Sequence, residues 1–221
     1  MRKDWVKCSF EDLLKYEQPT KYIVESTDYN DSFKIPVLTA GKSFILGYTN
    51  EKVGIFDKLP VIIFDDFTTS AQFVNFKFKV KSSAMKILLP TSELVNMKFT
   101  YYYMLVNKIR SDTHKRYWIS IYAKKQIYIP SLIEQGAIVS KVDELFSKLD
   151  NVEKSLIQLQ GILKSNTAGK IYQLRQSILI KAFRGKLLSE SEIRKCKQSS
   201  DYEPADELLM RIRAENELES V

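Results

Sequence analysis

The sequence predicts an α+β protein, a globular mixed α/β domain followed by a long, coiled-coil-forming α-helical region, and three observations lead there. Eight apolar residues, Ile138, Val142, Leu145, Leu149, Val152, Leu156, Leu159 and Leu163, follow one another at alternating steps of four and three. That 3.5-residue mean keeps one seam facing a partner helix in a left-handed supercoil, whereas an ordinary amphipathic stripe drifts off register. Before Pro130 short apolar runs alternate with turns, and 22 of the 26 Phe, Trp and Tyr residues sit there, where a core needs them. Charge divides at the same place. Residues 1–129 carry 20 Lys and Arg against 13 Asp and Glu, and residues 130–221 carry 14 against 14, so the net +7 belongs to the first part of the chain.

The elements follow in order. Strands are expected at Tyr22–Glu25, Ile35–Leu38, Phe44–Tyr48, Val61–Phe64 and Phe73–Val80. In the last, Phe76, Phe78 and Val80 alternate with Lys77, Lys79 and Lys81, the period-two pattern of a half-buried strand with a row of lysines on its open face. Ser92–Ile109 reads as a helix capped by Ser92. Arg110–Trp118 is polar and basic and reads as an outward loop, with Trp118 in the core because Ile119 and Ile121 continue a strand. After Pro130 the pattern becomes helical, flanked by the i,i+4 pairs Glu144 with Lys148 and Asp150 with Lys154. A second helix runs from Lys170 to Arg184 with Gly185 as its C-terminal cap, Leu188–Tyr202 reads as a polar mobile tail, and Pro204–Glu217 as a last short helix. The expected units are thus 1–129, 130–187 and 188–221.

Composition excludes several chemistries. The stretch Lys77–Lys125 holds 11 basic residues against Glu93 and Asp112, a field that attracts polyanions, nucleic acid first and an anionic membrane second. No run of apolar residues is long enough to span a bilayer and Met1–Trp5 leads into no signal-peptide core, so a soluble, cytoplasmic protein is expected. Cys8 and Cys196 suit free thiols. With His114 as the lone histidine, neither a zinc finger nor a histidine-based triad can be assembled, and no metal site is expected. There is no Asn-Pro-Pro-aromatic loop for adenine methylation and no lysine with an acid two residues before it for a magnesium nuclease. Asp65-Asp66 is the acidic pair closest to a metal site in appearance, and a turn accounts for it better.

The junction residues Ile129-Pro130-Ser131-Leu132-Ile133-Glu134-Gln135, followed by Ile138-Val139-Ser140-Lys141-Val142-Asp143-Glu144-Leu145-Phe146, resemble the conserved region of specificity subunits of type I restriction-modification enzymes. Leu174-Arg175-Gln176-Ser177-Ile178-Leu179-Ile180-Lys181-Ala182-Phe183-Arg184-Gly185-Lys186-Leu187 and Glu203-Pro204-Ala205-Asp206-Glu207-Leu208-Leu209 are similar to segments that follow it. Weaker matches to the family's recognition domains lie at Ile35–Thr39, Ile62–Thr68 and His114–Trp118. Relatives usually carry two recognition domains and two helical regions, and here there is one of each.

The resemblance implies a non-catalytic subunit that binds one half of a bipartite site on double-stranded DNA and recruits methylation and restriction subunits. S-adenosylmethionine, ATP and Mg²⁺ are expected on those partners and no cofactor on this chain. It also implies a homodimer that pairs antiparallel helices through the heptad residues, Ile138 to Leu163. A helix over Ser131–Leu163 is roughly 50 Å long, enough to separate two half-sites of an inverted repeat. The expected DNA contacts are Lys42, Lys77, Lys79, Lys115, Arg116 and Tyr117. A free-standing coiled-coil DNA-binding regulator is the alternative.

Overall fold

The first strand, β1 (Val6–Ser9), pairs antiparallel with β9 (Gln126–Ile129), so the start of the chain lies beside the last strand before Pro130. The structure, a computed structural model, describes residues 2–39, 43–107, 117–160 and 165–218, and the side chains of 157–167 lie outside that description. A short helix α1 (Phe10–Leu13) follows β1, its start fixed by the Ser9 amide and hydroxyl, which donate to the Asp12 carboxylate at 2.6 and 2.8 Å.

The central sheet is antiparallel, in the order β2 (Leu14–Glu17), β8 (Met85–Pro90), β5 (Val61–Asp65), β6 (Ala71–Val74). All five residues of β5 are buried, and alternation sends them into two cores. Ile62 and Phe64 join Leu88 in a large cluster under the helices, while Val61 and Ile63 join Ile87 in a smaller one. A strand covered on both faces reads as an unbroken apolar run, which is why Val61–Phe64 shows no polar partner in its pattern. The smaller core is closed by a second sheet, in which β3 (Ile35–Leu38) lies between β4 (Ile45–Thr49) and the two-residue β7 (Lys79–Val80). Phe56 and Phe78 stack there with ring centroids 5.0 Å apart.

Under the central sheet, α2 (Met97–Val106) is capped by Asn96, whose side chain accepts the Phe99 N–H at 3.0 Å. A π-helical turn at Trp118–Tyr122 brings Trp118 and Tyr122 against Phe64, at 5.4 and 5.1 Å. The long helix α3 (Leu132–Gln160), of 29 residues, starts at a joint built from the junction motif. Gln135 Nε2 returns to the Pro130 carbonyl at 3.0 Å, and the Glu134 carboxylate receives Arg2 at 2.7 Å and the Trp5 indole N–H at 3.1 Å. Burial pushes the Glu134 carboxyl up, against the opposing pull of Arg2.

The helix α4 (Ser165–Phe183) returns along α3. Arg175 bridges to Asp150 and lies 5.3 Å from the Phe146 ring, while Ala182 and Gly185 line one small cavity with Ile138 further down, so the two helices are antiparallel within one chain. Gly185, at φ +69°, ends α4: its own N–H bonds Ala182 O at 3.0 Å and the Lys186 N–H bonds Lys181 O at 2.9 Å, the paired bonds of a Schellman cap. Next comes α5 (Glu190–Lys197), capped by Ser189, and then α6 (Ala205–Leu218), which lies on α1 and β1 and is tied to Asp12 by Arg213 at 2.9 Å.

Several expectations change. Tyr22–Glu25 is no strand: a 3-10 turn covers Pro19–Tyr22, and Ile23 makes a single bridge to Val80. Phe73–Val80 divides into β6 and β7, with Phe76 exposed between them, because the chain crosses from one sheet to the other. The helix of Ser92–Ile109 begins at Met97, since Asn96 rather than Ser92 caps it. Ile119 and Ile121 are exposed on the π-helical turn and continue no strand. The expected mobile tail contains α5, and Cys196, Leu208, Leu209 and Ile212 are buried, the last three in the same cluster as Trp5 and Ile138. Residues from all three stretches of sequence therefore share one core. Among the described residues no helix is long and apolar enough to cross a membrane. Cys8 and Cys196 are both free and buried.

Candidate nucleic-acid interface

The basic stretch is not one surface. Lys77 is exposed, 3.7 Å from Asp57, and Lys81 and Lys124 are exposed as well. Lys79 is not available to a phosphate: its side chain is 4% exposed, and the ammonium bonds Glu51 and the Val53 carbonyl, each at 2.6 Å. Alternation along 77–81 put all three lysines on an open face, but the loop after β4 closes over the middle one. Glu51 is itself saturated, since it also accepts the N–H groups of Glu25 and Ser26 at 3.0 Å. Burial acts to raise the Glu51 carboxyl, and these hydrogen bonds outweigh it and hold the group below its ordinary value. Lys98 is committed to Asp143 on α3 at 2.6 Å, and Lys125 to the Asn107 carbonyl at 3.2 Å, where burial pushes its ammonium down.

Tyr117 is also corrected. It is 4% exposed, and its backbone N–H donates to the Asp66 carbonyl at 3.1 Å, so its ring belongs to the interior beside Trp118, which is in the core as expected. Lys42, Lys115 and Arg116 lie outside the described residues. The residues that frame 108–116 are fixed on both sides. Asn107 O receives the Tyr122 hydroxyl at 3.1 Å, and the Asp66 carboxylate receives the Trp118 N–H at 2.8 Å. Lys108, Arg110, Lys115 and Arg116 in that segment are therefore flanked by anchors in the large core.

Asp65 and Asp66 make a turn, with their carboxylates committed to donors of the chain. The Asp65 carboxylate accepts from Phe67 N at 2.9 Å and from the Thr68 hydroxyl at 2.6 Å, while Asp66 holds Trp118. Among the described residues no three His, Cys, Asp or Glu side chains converge as metal ligands. Beside this turn opens a cleft of about 490 Å³, lined by Gln18, Thr20, Asp66, Phe67, Ser82, Ser83 and Lys86 among others. Its amide and hydroxyl groups are of the kind that bond base edges and sugar or phosphate oxygens. Asp66 and Phe67 lie within the Ile62–Thr68 match, whereas nothing in the sequence marked Gln18, Thr20, Ser82 and Ser83 as their neighbours. Uncharged and split between two distant segments, these four carry no periodic signal, and their turn-like composition was the one available hint.

The heptad seam divides in the same way. Ile138 and Val142 are 2% and 0% exposed and belong to the large core, so they face the chain's own body. Leu145, Leu149 and Leu156 are half-buried and Val152 is 53% exposed; Leu159 and Leu163 lie outside the described side chains. Near Val152, α4 leaves Tyr172 and Leu174 more than half exposed.

Comparison with known proteins agrees with this architecture. The family model described as "Type I restriction modification DNA specificity domain" matches residues 2–160. The specificity subunit of the type I restriction enzyme EcoR124I/EcoR124II of Escherichia coli is 50% identical over 145 residues, covering 60% of this chain and 36% of that protein. The EcoKI specificity subunit of Escherichia coli K12 is 34% identical over 89 residues, covering 40% and 18% respectively. The chain thus spans little more than a third of the first of these relatives and less than a fifth of the second. In fold, it is similar to the S subunit of a type I restriction-modification system from M. genitalium, with TM-score 0.52 and 18% identity over 80% of this chain and 48% of the other. A chain from a structure of the type I R-M system has TM-score 0.54 and 17% identity over 85% and 47%. On the match that takes in its body and its long helix, this chain belongs to the type I restriction modification DNA specificity domain family.

Proposed function

We propose that this chain is a non-catalytic DNA-reading subunit of a type I restriction-modification system. The observation that carries the reading is the polar cleft whose Asp66 also holds Trp118, the residue just after a basic stretch of sequence, on a body that shares its core with the long helix. In this reading the cleft and the basic segment meet one half of a bipartite site. Lys77 and its exposed neighbours supply salt-dependent phosphate affinity. A homodimer reads the two halves as an inverted repeat, since a two-fold protein imposes two-fold symmetry on its site. The seam for that dimer is the outer part of α3, at Leu145, Leu149, Val152 and Leu156. At a rise of ~1.5 Å per residue, α3 is roughly 44 Å long, more than one DNA turn of about 34–36 Å. Methylation and restriction subunits are the recruited partners, and S-adenosylmethionine, ATP and Mg²⁺ belong to them.

The test is co-expression with the methylation subunit and genome-wide mapping of methyladenine, against a strain lacking this chain. A split inverted-repeat motif that depends on the chain is the expected result. Methylation at no chain-dependent motif would sink the reading.

A further inference from the structure

The turn joining β5 to β6 is held far more firmly than a surface turn of its length requires. Its backbone is cross-linked by Asp65 N to Ser70 O at 2.8 Å and Thr69 N to Asp65 O at 2.9 Å, in addition to the Asp65 side-chain bonds. Thr69 has φ +56°, the one positive value among the described residues other than glycine. For a β-branched residue that backbone is strained, and such strain persists where surrounding structure over-determines it, commonly at binding sites. Thr69 and Asp66 are buried at 2% and 4%, yet Phe67 between them is 42% exposed on the wall of the polar cleft. An aromatic ring left in water forfeits part of the free energy its burial would contribute. Here every neighbour is used to fix the backbone that displays it.

We infer that Phe67 is a DNA-contacting wedge, set by Asp65 and Asp66 so that its ring enters a groove and packs against base edges or between base steps. The inference rests on the DNA-reading role proposed above. Apolar wedges of this kind work when the backbone behind them is stiff, because the cost of disturbing base stacking must be met by a contact that cannot retreat. Thr20, Ser82 and Ser83 share the cleft, where their hydroxyls can bond the sugar and phosphate oxygens beside the wedged step. Asp66 is a positioning residue: through the Trp118 and Tyr117 N–H groups it ties the turn that carries the wedge to the start of the π-helical turn at Trp118–Tyr122.

The experiment uses the complete chain with its methylation subunit and a duplex bearing the motif found by methyladenine mapping, with 2-aminopurine placed at successive steps. Phe67→Ala is expected to lower affinity for that duplex about ten-fold and to abolish a rise in 2-aminopurine fluorescence at one step. The slope of log affinity against log salt stays unchanged, since no phosphate contact is removed. Phe67→Trp, which keeps a wedge, retains binding and fluorescence. Wild-type affinity and fluorescence in Phe67→Ala would overturn the inference while leaving the DNA-reading role standing. A wild-type complex that selects no motif would defeat that role first, and the wedge with it.

Discussion

The inner and outer halves of α3 carry one heptad pattern and meet two environments. Ile138 and Val142 sit in a core shared with α2, α4 and the N-terminal strand, whereas Val152 is open to water and Leu149 and Leu156 are half-covered. The apolar period records that a helix needs partners on one side, and says nothing about whether a partner comes from its own chain. In the inner half α4 and the body supply it. In the outer half the apolar residues are covered less, and in the function proposed above they form the seam of the dimer. Lys77 and Lys79 repeat the lesson on a smaller scale, one lysine exposed and the other sealed by Glu51, two residues apart in one alternating run.

Substitutions that break this contrast rank by burial. Val142→Asp places a carboxylate at a site with no exposure, and should cost about 4 kcal/mol or more, read by chemical denaturation of the purified chain. Leu149→Asp, by contrast, should shift unfolding by about 1 kcal/mol or less and halve the mass seen by light scattering; a two-fold mass that survives would place the dimer seam elsewhere. Lys79→Met keeps the aliphatic stem and leaves Glu51 without its cation, for an expected loss of about 2 kcal/mol with an unchanged salt slope of DNA binding. Lys77→Met should leave stability within about 0.5 kcal/mol and reduce that slope by about 1.

The smallest effect sharpens the inner half at its joint. Burial acts to raise the Asp4 carboxyl, and hydrogen bonds from Arg2 and Lys197 outweigh it, bringing it down to about 2 from 3.8. A carboxylate lowered on folding contributes stability above its unfolded value and loses it as pH falls through the folded one. The melting temperature of the wild type should therefore drop more steeply between about pH 4 and 2 than that of Asp4→Asn. Parallel curves for the two proteins would remove Asp4 from the joint.

What was legible in the sequence was local. The residues Ile35–Leu38 form β3 as expected, Val61–Phe64 lie within β5, and Gly185 ends α4 in the left-handed conformation that favours glycine. The junction motif was legible as a resemblance, and its cause, a buried Glu134 receiving Arg2 and Trp5 from more than 120 residues away, was not. Strands β1, β2, β8 and β9 escaped because each acquires its partner from a distant part of the chain. The cleft escaped for the same reason, being assembled from three segments that have no pattern in common.

By itself the sequence determined the α+β class, the long helix and its apolar stripe, the placement of the basic charge and the family, because periodicity, caps and motifs are written within a few residues of one another. Tertiary structure alone decided which lysine faces water, which half of the stripe the body covers, and that Phe67 is displayed above a polar cleft. Burial of a side chain is set by the segment that arrives against it, and that segment lies tens of residues away along the chain.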